Sequence, residues 1–469
     1  MTGEVIVCGD VGSTYTKVAA VEAGTGALLG TAAHATTIGT DVLEGLYAAR
    51  DAVVAGLPGG AVVTELRVCS SAGGGLTCAV VGNEPLVTAT AAHRAALSAG
   101  ARIVHVAAGT LGAGDFAALG AAVPDTVLFA GGTDGGDASV LLEHARQYAE
   151  AAGRDERLRV PVVLAANARA AGEVEAILAT AGLPVAVVGN VLPRIGMLRP
   201  QEARAALREA FLRHVIAGKH LSAGEEFTRL VRAATPDAVL AGVELFADGH
   251  GEIAGRGDLL LVDVGGATTD VYSVLTPDAE LEGPRAEVAG SQWRSRTVEG
   301  DLGVRWNAPG VVEAAAAEKL LDAEGVSRLE GPAATRAATP GFLPDSRTEA
   351  RVDVELASLA MKVALRRHAR GERLDAQGPF RGGKDLRGVG LVIGSGGALR
   401  YAGAGAALEV LGEAVADRSG GWPLPESAGV VVDSRYVLAA AGLLAQSHPV
   451  AALGLLRGQF QAVGGPFFG

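Results

Sequence analysis

Three short stretches of this chain hold residue types that could do chemistry together. The first, GDVGSTYTK at Gly9–Lys17, sets a carboxylate, a glycine, hydroxyls and a lysine within one turn. Backbone N–H groups of such a turn can point inward as an anion-binding nest. Ser13 and Thr14 add hydroxyl donors beside Gly12, and Lys17 adds a point charge for a terminal phosphate. Asp10 suits Mg2+ held through water, because Mg2+ dehydrates reluctantly. Alone, the stretch is also the sequence of an ordinary hairpin. The second, DVGGATTD at Asp263–Asp270, repeats the parts with Asp263, Gly265, Gly266 and Thr268. Two facing turns can clamp the β- and γ-phosphates from both sides, with Asp263 orienting a water or metal for in-line attack. The third, GSGGALR at Gly394–Arg400, lets Gly394, Ser395, Gly396 and Gly397 lie flat against a nucleoside, ahead of a helix whose N-terminus favours anions. It is not G-x-G-x-x-G, so dinucleotide binding is not indicated.

These stretches need strands and helices to hold them. Val5–Cys8 and Val18–Val21 are apolar runs on either side of the first turn, and Leu28–Ala33 continues an antiparallel meander. Helix is expected over Val42–Val54, a strand near Leu66–Ser70, a glycine cluster at Ser71–Gly75 and a helix near Thr88–Ala99. From residue 102 to about 192, short apolar strands (Arg102–Ala107, Thr126–Ala130, Pro161–Ala165, Pro184–Val188) alternate with helical patterns, the signature of βαβ units and a compact inserted α/β domain. Leu259–Val274 then repeats the strand, D-x-G turn, strand of Val5–Val21, an internal duplication. Residues 275–350 read as loop-rich, with Pro and Gly scattered, Val352–Arg370 as a long helix, Gly388–Ile393 as a strand and Tyr436–Ala445 as a final helix.

Composition narrows the partners. The chain has 469 residues, enough for several domains, with 49% hydrophobic and 20% charged residues, the balance of a soluble globule. A net charge of −12 argues against nucleic acid as the main partner, since phosphate binding needs a basic face. Cys8, Cys69 and Cys78 fit no C-x-x-C pattern and read as buried hydrophobes in a reducing compartment. No signal peptide and no apolar run of roughly 18 residues is evident, so a cytoplasmic protein with no membrane partner is expected.

The order of the motifs resembles the actin, Hsp70 and sugar-kinase superfamily: phosphate-1 turn, connecting helix, phosphate-2 turn, adenosine loop, second connecting helix. Pro236–Phe246 and Val437–Leu444 look like the connecting helices, both rich in small residues. The resemblance implies two actin-like (ribonuclease H-like) halves with an inserted α/β domain: residues 1–101, then 102–192, connecting helices over 193–258, and 259–469. Within that superfamily the chain is similar to the accessory proteins of glutamate mutase (methylaspartate mutase), the MutL type unrelated to mismatch repair. GDVGSTYTK, SSAGGGL (Ser70–Leu76), FAGGTDGGD (Phe129–Asp137), LVDVGGATTDV, RTVEGDLGVR (Arg296–Arg305), LRRHA (Leu365–Ala369) and IGSGGALR carry the likeness. It implies an ATP-dependent chaperone that reactivates an adenosylcobalamin-dependent mutase, with ATP and Mg2+ in the interdomain cleft. Asp10 and Asp263 match the metal-site and catalytic carboxylates, Lys17 the phosphate-contacting lysine, and Gly394–Gly397 the adenosine glycines. Glu299, Gly300 and Asp301 stand where relatives approach the nucleotide.

Some readings stay open. FAGGTDGGD is either a second ligand loop or a strand-to-helix turn, and the cations of Arg366, Arg367 and His368 suit a helix C-terminus without further purpose. A metabolic enzyme of the same superfamily is the alternative, because DVGGATTDV resembles the hydantoinase/oxoprolinase motif; those enzymes tend to carry Asp where Lys17 stands. A small-molecule kinase would need a base that no residue here supplies. An iron–sulfur activator would use Cys69 and Cys78 as ligands, without the closely paired cysteines of such sites.

Overall fold

A computed structural model describes all residues except 1–2, 73–74, 217, 219–220, 278–288, 290–292, 372–379, 381–382 and 461–469. The chain divides into two compact units, one of Met1–Gly24, Leu28–Ala241 and Pro277–Ser295, the other of Thr25–Ala27, Gly242–Thr276 and Arg296–Gly469.

The first unit opens with β1 (Glu4–Val11), β2 (Tyr15–Glu22) and β3 (Leu28–Ala35), an antiparallel meander. Helix α1 (Val42–Ala55) starts at Asp41, whose side chain accepts the N–H of Leu43, and leads to β4 (Val62–Ser70). Next come β5 (Thr77–Gly82), α2 (Thr90–Ser98), β6 (Arg102–Ala108), α3 (Ala113–Ala121), β7 (Thr126–Phe129), α4 (Ser139–Arg154), β8 (Val162–Leu164), α5 (Ala171–Ala179) and β9 (Val185–Val187). Helices α6 (Gln201–Ala210) and α7 (Glu226–Leu230) then lead through β10 (Val231–Ala234) into α8 (Thr235–Asp248). Two sheets result, ordered β10-β4-β1-β2-β3 and β6-β5-β7-β8-β9.

The second sheet of this unit is parallel throughout and contains the four strands expected after residue 102, but its fifth, β5, lies upstream of that boundary. Every residue of β5 is buried. Cys78 and Val80 enter one apolar core, Ala79 and Val81 the other. A strand covered on both faces shows no alternation, so its six residues carry no period-2 signal.

After a small ribbon, β11 (Gly249–His250) and β12 (Ile253–Ala254), the second unit runs through β13 (Leu259–Val264), β14 (Thr269–Val274) and β15 (Arg294–Glu299). Helices α9 (Ala308–Ala317), α10 (Ala323–Ala338) and α11 (Arg347–Arg370) follow, then β16 (Leu391–Ser395), α12 (Gly397–Tyr401), α13 (Ala404–Val415), β17 (Gly429–Val432), α14 (Val437–Leu444) and α15 (Pro449–Gln459). Its sheet is ordered β15-β14-β13-β16-β17. Numbered within each unit, both sheets read 3-2-1-4-5, with an antiparallel first hairpin and parallel fourth and fifth strands. That shared order is the actin-like, ribonuclease H-like sheet, present twice.

Two expectations fail here. Residues 275–350 include α9 and α10 where loop was expected, because Gly331 and Pro332 inside α10 read as breakers. Burial of Leu329, Ala333 and Arg336 on one side of α10 outweighs that local preference. The chain also continues past α14 into α15, for which Pro449 serves as the first helical residue rather than a stop. Among the described residues no helix is long and apolar enough to cross a membrane.

Candidate functional site

The two D-x-G turns have the same backbone. In the first unit Gly12 N–H donates to Tyr15 O at 3.2 Å; in the second Gly265 N–H donates to Thr268 O at 2.9 Å. A Cβ at Gly12 would sit 2.9 Å from the Tyr15 carbonyl, and one at Gly265 2.9 Å from that of Thr268, so each turn requires glycine. The residues two before each glycine also correspond: Asp10 pairs across its hairpin with Lys17, and Asp263 pairs with Asp270.

In the first turn Lys17 Nζ lies 3.4 Å from Asp10 Oδ2, and both side chains are partly buried. Asp10 Oδ1 accepts a 2.6 Å bond from the Thr235 hydroxyl at the start of α8. The same oxygen lies 3.7 Å from Cys69 Sγ. Ser13 and Thr14 are exposed at the tip. The structure therefore brings Asp10, Gly12 and Lys17 together and adds Thr235, a residue that no local pattern in the sequence marks.

In the second unit the turn is held from outside by one segment. Val304 N–H donates to Gly265 O (3.1 Å), while Arg305 and Trp306 N–H both donate to Gly266 O (2.9 Å). The Thr269 hydroxyl donates to Leu302 O at 2.7 Å, and Asn307 Nδ2 donates to the carbonyls of Ala267 and Gly300. Glu299, Gly300 and Asp301 thus lie beside the turn. Arg367 binds both acids, Glu299 at 2.8 Å and Asp301 at 2.7 Å. Partial burial opposes ionisation of Asp301, but the Arg367 bonds and charge hold its carboxyl below the usual range. Thr268 Oγ1 donates to Asp270, which is ion-paired to the buried Arg296 at 2.6 Å.

The glycine loop adjoins Asp263, since Ser395 is its register partner on β16. Gly396 has φ +114°, and a Cβ there would lie 2.2 Å from Val264 O, so only glycine fits. The α-carbon of Gly394 faces Leu399 and Leu411, which makes packing, rather than an open surface, the reason for glycine at that position. Gly397 is partly exposed and starts α12.

The three basic residues at the end of α11 do more than face a helix terminus. Arg366 bonds Asp417 at 2.6 Å and the Glu318 carbonyl at 2.8 Å, Arg367 holds Glu299 and Asp301, and His368 lies between Thr297 Oγ1 and Ser273 Oγ. FAGGTDGGD is a strand-to-helix turn between β7 and α4, tied down by Asn167 and Asn190. Within SSAGGGL, Gly73 and Gly74 lie outside the described residues. Burial pushes the Cys8 and Cys78 thiols up to about 12 and Cys69 well above its ordinary value, so all three are protonated at neutral pH.

A repeated 3-2-1-4-5 sheet, each copy opening on a D-x-G hairpin, defines the actin-like class. A model of the family described as MutL protein matches residues 6–460, and the chain belongs to that family. Protein MutL of Clostridium tetanomorphum is 34% identical over 459 residues, covering 96% of this chain and 97% of that one. Solved structures similar to it include nucleotide-free acetone carboxylase (13% identity, 94% of this chain and 70% of that chain, TM-score 0.37). Another is a glycerol dehydratase reactivase (14% identity, 94% and 99%, TM-score 0.32).

Proposed function

We propose that this protein is an ATP-dependent reactivating factor for an adenosylcobalamin-dependent mutase, glutamate mutase in particular, and that it hydrolyses Mg-ATP. The observation that carries the nucleotide part is the duplicated turn, the same glycine hydrogen bond in both units with a carboxylate two residues before it. Family membership supports the mutase as partner.

The residues present fit Mg-ATP. Among the described residues no cluster of three His, Cys, Asp or Glu could hold a metal alone. A metal here takes most of its ligands from phosphate and water, which is how Mg2+ commonly binds. Asp10 and Asp263 supply hard oxygens toward it; bound Mg2+ neutralises phosphate charge. Lys17 would contact the terminal phosphate, Gly12, Ser13, Thr14, Gly265, Gly266 and Thr268 would hold the phosphates, and Gly394–Gly397 would approach the adenosine. Glu299, Gly300 and Asp301 flank the second turn, where Arg367 fixes their position.

Reactivation follows from differential binding. A tightly held, damaged cofactor leaves a mutase slowly unless something prefers the open, cofactor-free state. A partner with that preference, reset by hydrolysis, promotes exchange repeatedly. The test measures release of cyanocobalamin from glutamate mutase with Mg-ATP, with ADP, and with Asp10→Asn or Asp263→Asn. Release only with Mg-ATP, abolished in both variants while they remain folded, is expected. Release independent of nucleotide, or none with a cognate mutase, overturns the reactivase reading in favour of a metabolic ATP-using enzyme. Hydrolysis at the wild-type rate in both variants overturns the site.

A further inference from the structure

We propose that Thr235 is the positioning residue for Asp10, holding its carboxylate in the orientation that receives the metal; this rests on the Mg-ATP reading above. Asp10 is the penultimate residue of β1, and a carboxylate there can rotate about its last torsion. Thr235 Oγ1 removes that freedom by donating to Oδ1 at 2.6 Å, and Oδ2 is then the oxygen that faces Lys17. The hydroxyl is delivered by tertiary structure on two sides. Strand β10 runs parallel to β4 with Ala233 opposite Cys69 and Ala234 opposite Ser70, and Cys69 is in turn the register partner of Asp10. Ala234 is thus level with the end of β1, and the next residue, Thr235, starts α8 just beyond it, close enough for its hydroxyl to reach the carboxylate.

The start of α8 is anchored as well. Asp237, its third residue, has a side chain 1% exposed and is gripped by Arg204 at 2.9 Å and Arg208 at 3.0 Å from α6. Two guanidiniums on one buried carboxylate leave the first turn of α8 little room to shift, so Thr235 cannot follow a wandering Asp10. Groups that orient a metal-site carboxylate in this way typically alter metal affinity by about 10- to 100-fold when removed.

The experiment compares ATP affinity by calorimetry in Mg2+ and in EDTA for wild type, Thr235→Val, Thr235→Ser and Asp10→Asn. Valine keeps the β-branched shape and puts a methyl in place of the hydroxyl; serine keeps the hydroxyl. Thr235→Val should lose about tenfold of the Mg2+-dependent gain in affinity with its EDTA affinity unchanged, and Thr235→Ser should retain the gain. Equal loss in Mg2+ and EDTA identifies a packing role alone and overturns the inference. A Mg2+-dependent gain of wild-type size in Thr235→Val also overturns it, while loss of the gain in Asp10→Asn leaves the site itself standing. A wild-type protein whose ATP affinity ignores Mg2+ overturns both.

Discussion

Lys17 stands opposite Asp10 across the first hairpin, whereas the equivalent position in the second hairpin is Asp270. The duplicated turn is therefore asymmetric in charge, and only the first half offers a lysine to a phosphate. Lys17→Ala should weaken ATP more than ADP, by roughly ten- to a hundredfold, the equivalent of about 1.5–3 kcal/mol for a charge-assisted contact. Titration calorimetry with both nucleotides checks this, and equal weakening removes Lys17 from the terminal phosphate. His368 makes a different prediction. Burial, then the charge of Lys384, lowers its pKa well below the ordinary 6.5, so the folded protein keeps it neutral. The unfolded chain takes up a proton near 6.5 and the folded one does not, so stability is lost as pH falls below that value, by at most about 1.4 kcal/mol per pH unit. Urea midpoints should drop between pH 7.5 and 5.5. The drop should be shallower in His368→Gln, even though His144, also buried with a lowered pKa, contributes the same sign to both proteins.

Elements hold the second turn through one buried ion cluster. Arg336 of α10 is fully buried and bonds Asp353 at 2.6 Å and Glu349 at 2.9 Å. Asp353 of α11 also receives Arg305, whose backbone N–H caps Gly266. Loss of Asp353 takes the ion pair from Arg305 and leaves the buried Arg336 with Glu349 as its remaining carboxylate. Asp353→Ala should destabilise the protein by about 3–5 kcal/mol, read from denaturant unfolding, because removing one partner of a buried ion cluster leaves buried charge undercompensated. A change under about 1 kcal/mol would mean that water reaches the cluster. The small residues expected in the connecting helices have a steric reason too: a Cβ at Gly242 of α8 would lie 2.7 Å from Leu438 O of α14.

At the scale of the whole molecule, a ligand that binds only the folded state stabilises it by mass action. Mg-ATP at a hundred times its Kd should add about 2.7 kcal/mol and raise the thermal midpoint. Asp10→Asn should abolish the part of that rise that depends on Mg2+. No change in midpoint with saturating Mg-ATP would contradict nucleotide binding at any site on this chain.

The sequence by itself determined the local pieces. Apolar runs and D-x-G placed both hairpins to within three residues at each strand end, because a tight turn and its flanking strands are encoded by neighbours. The helices were legible in part: α1 begins at the expected Val42, whereas α11 begins at Arg347, five residues before the expected Val352, capped by Ser346, which accepts the N–H of Glu349. Tertiary structure alone decided the rest. The bond from Thr235 to Asp10 spans 225 residues, and the pairing of Arg367 with Glu299 spans 68. Strand β5 is covered by different cores on its two faces and leaves no periodic trace. The leucines that a Cβ at Gly394 would meet, Leu399 and Leu411, are likewise brought there by packing and not by the glycine loop's own pattern. Local pattern records what a residue's neighbours along the chain require; side-chain partners far along the chain are chosen by sheet order and helix packing.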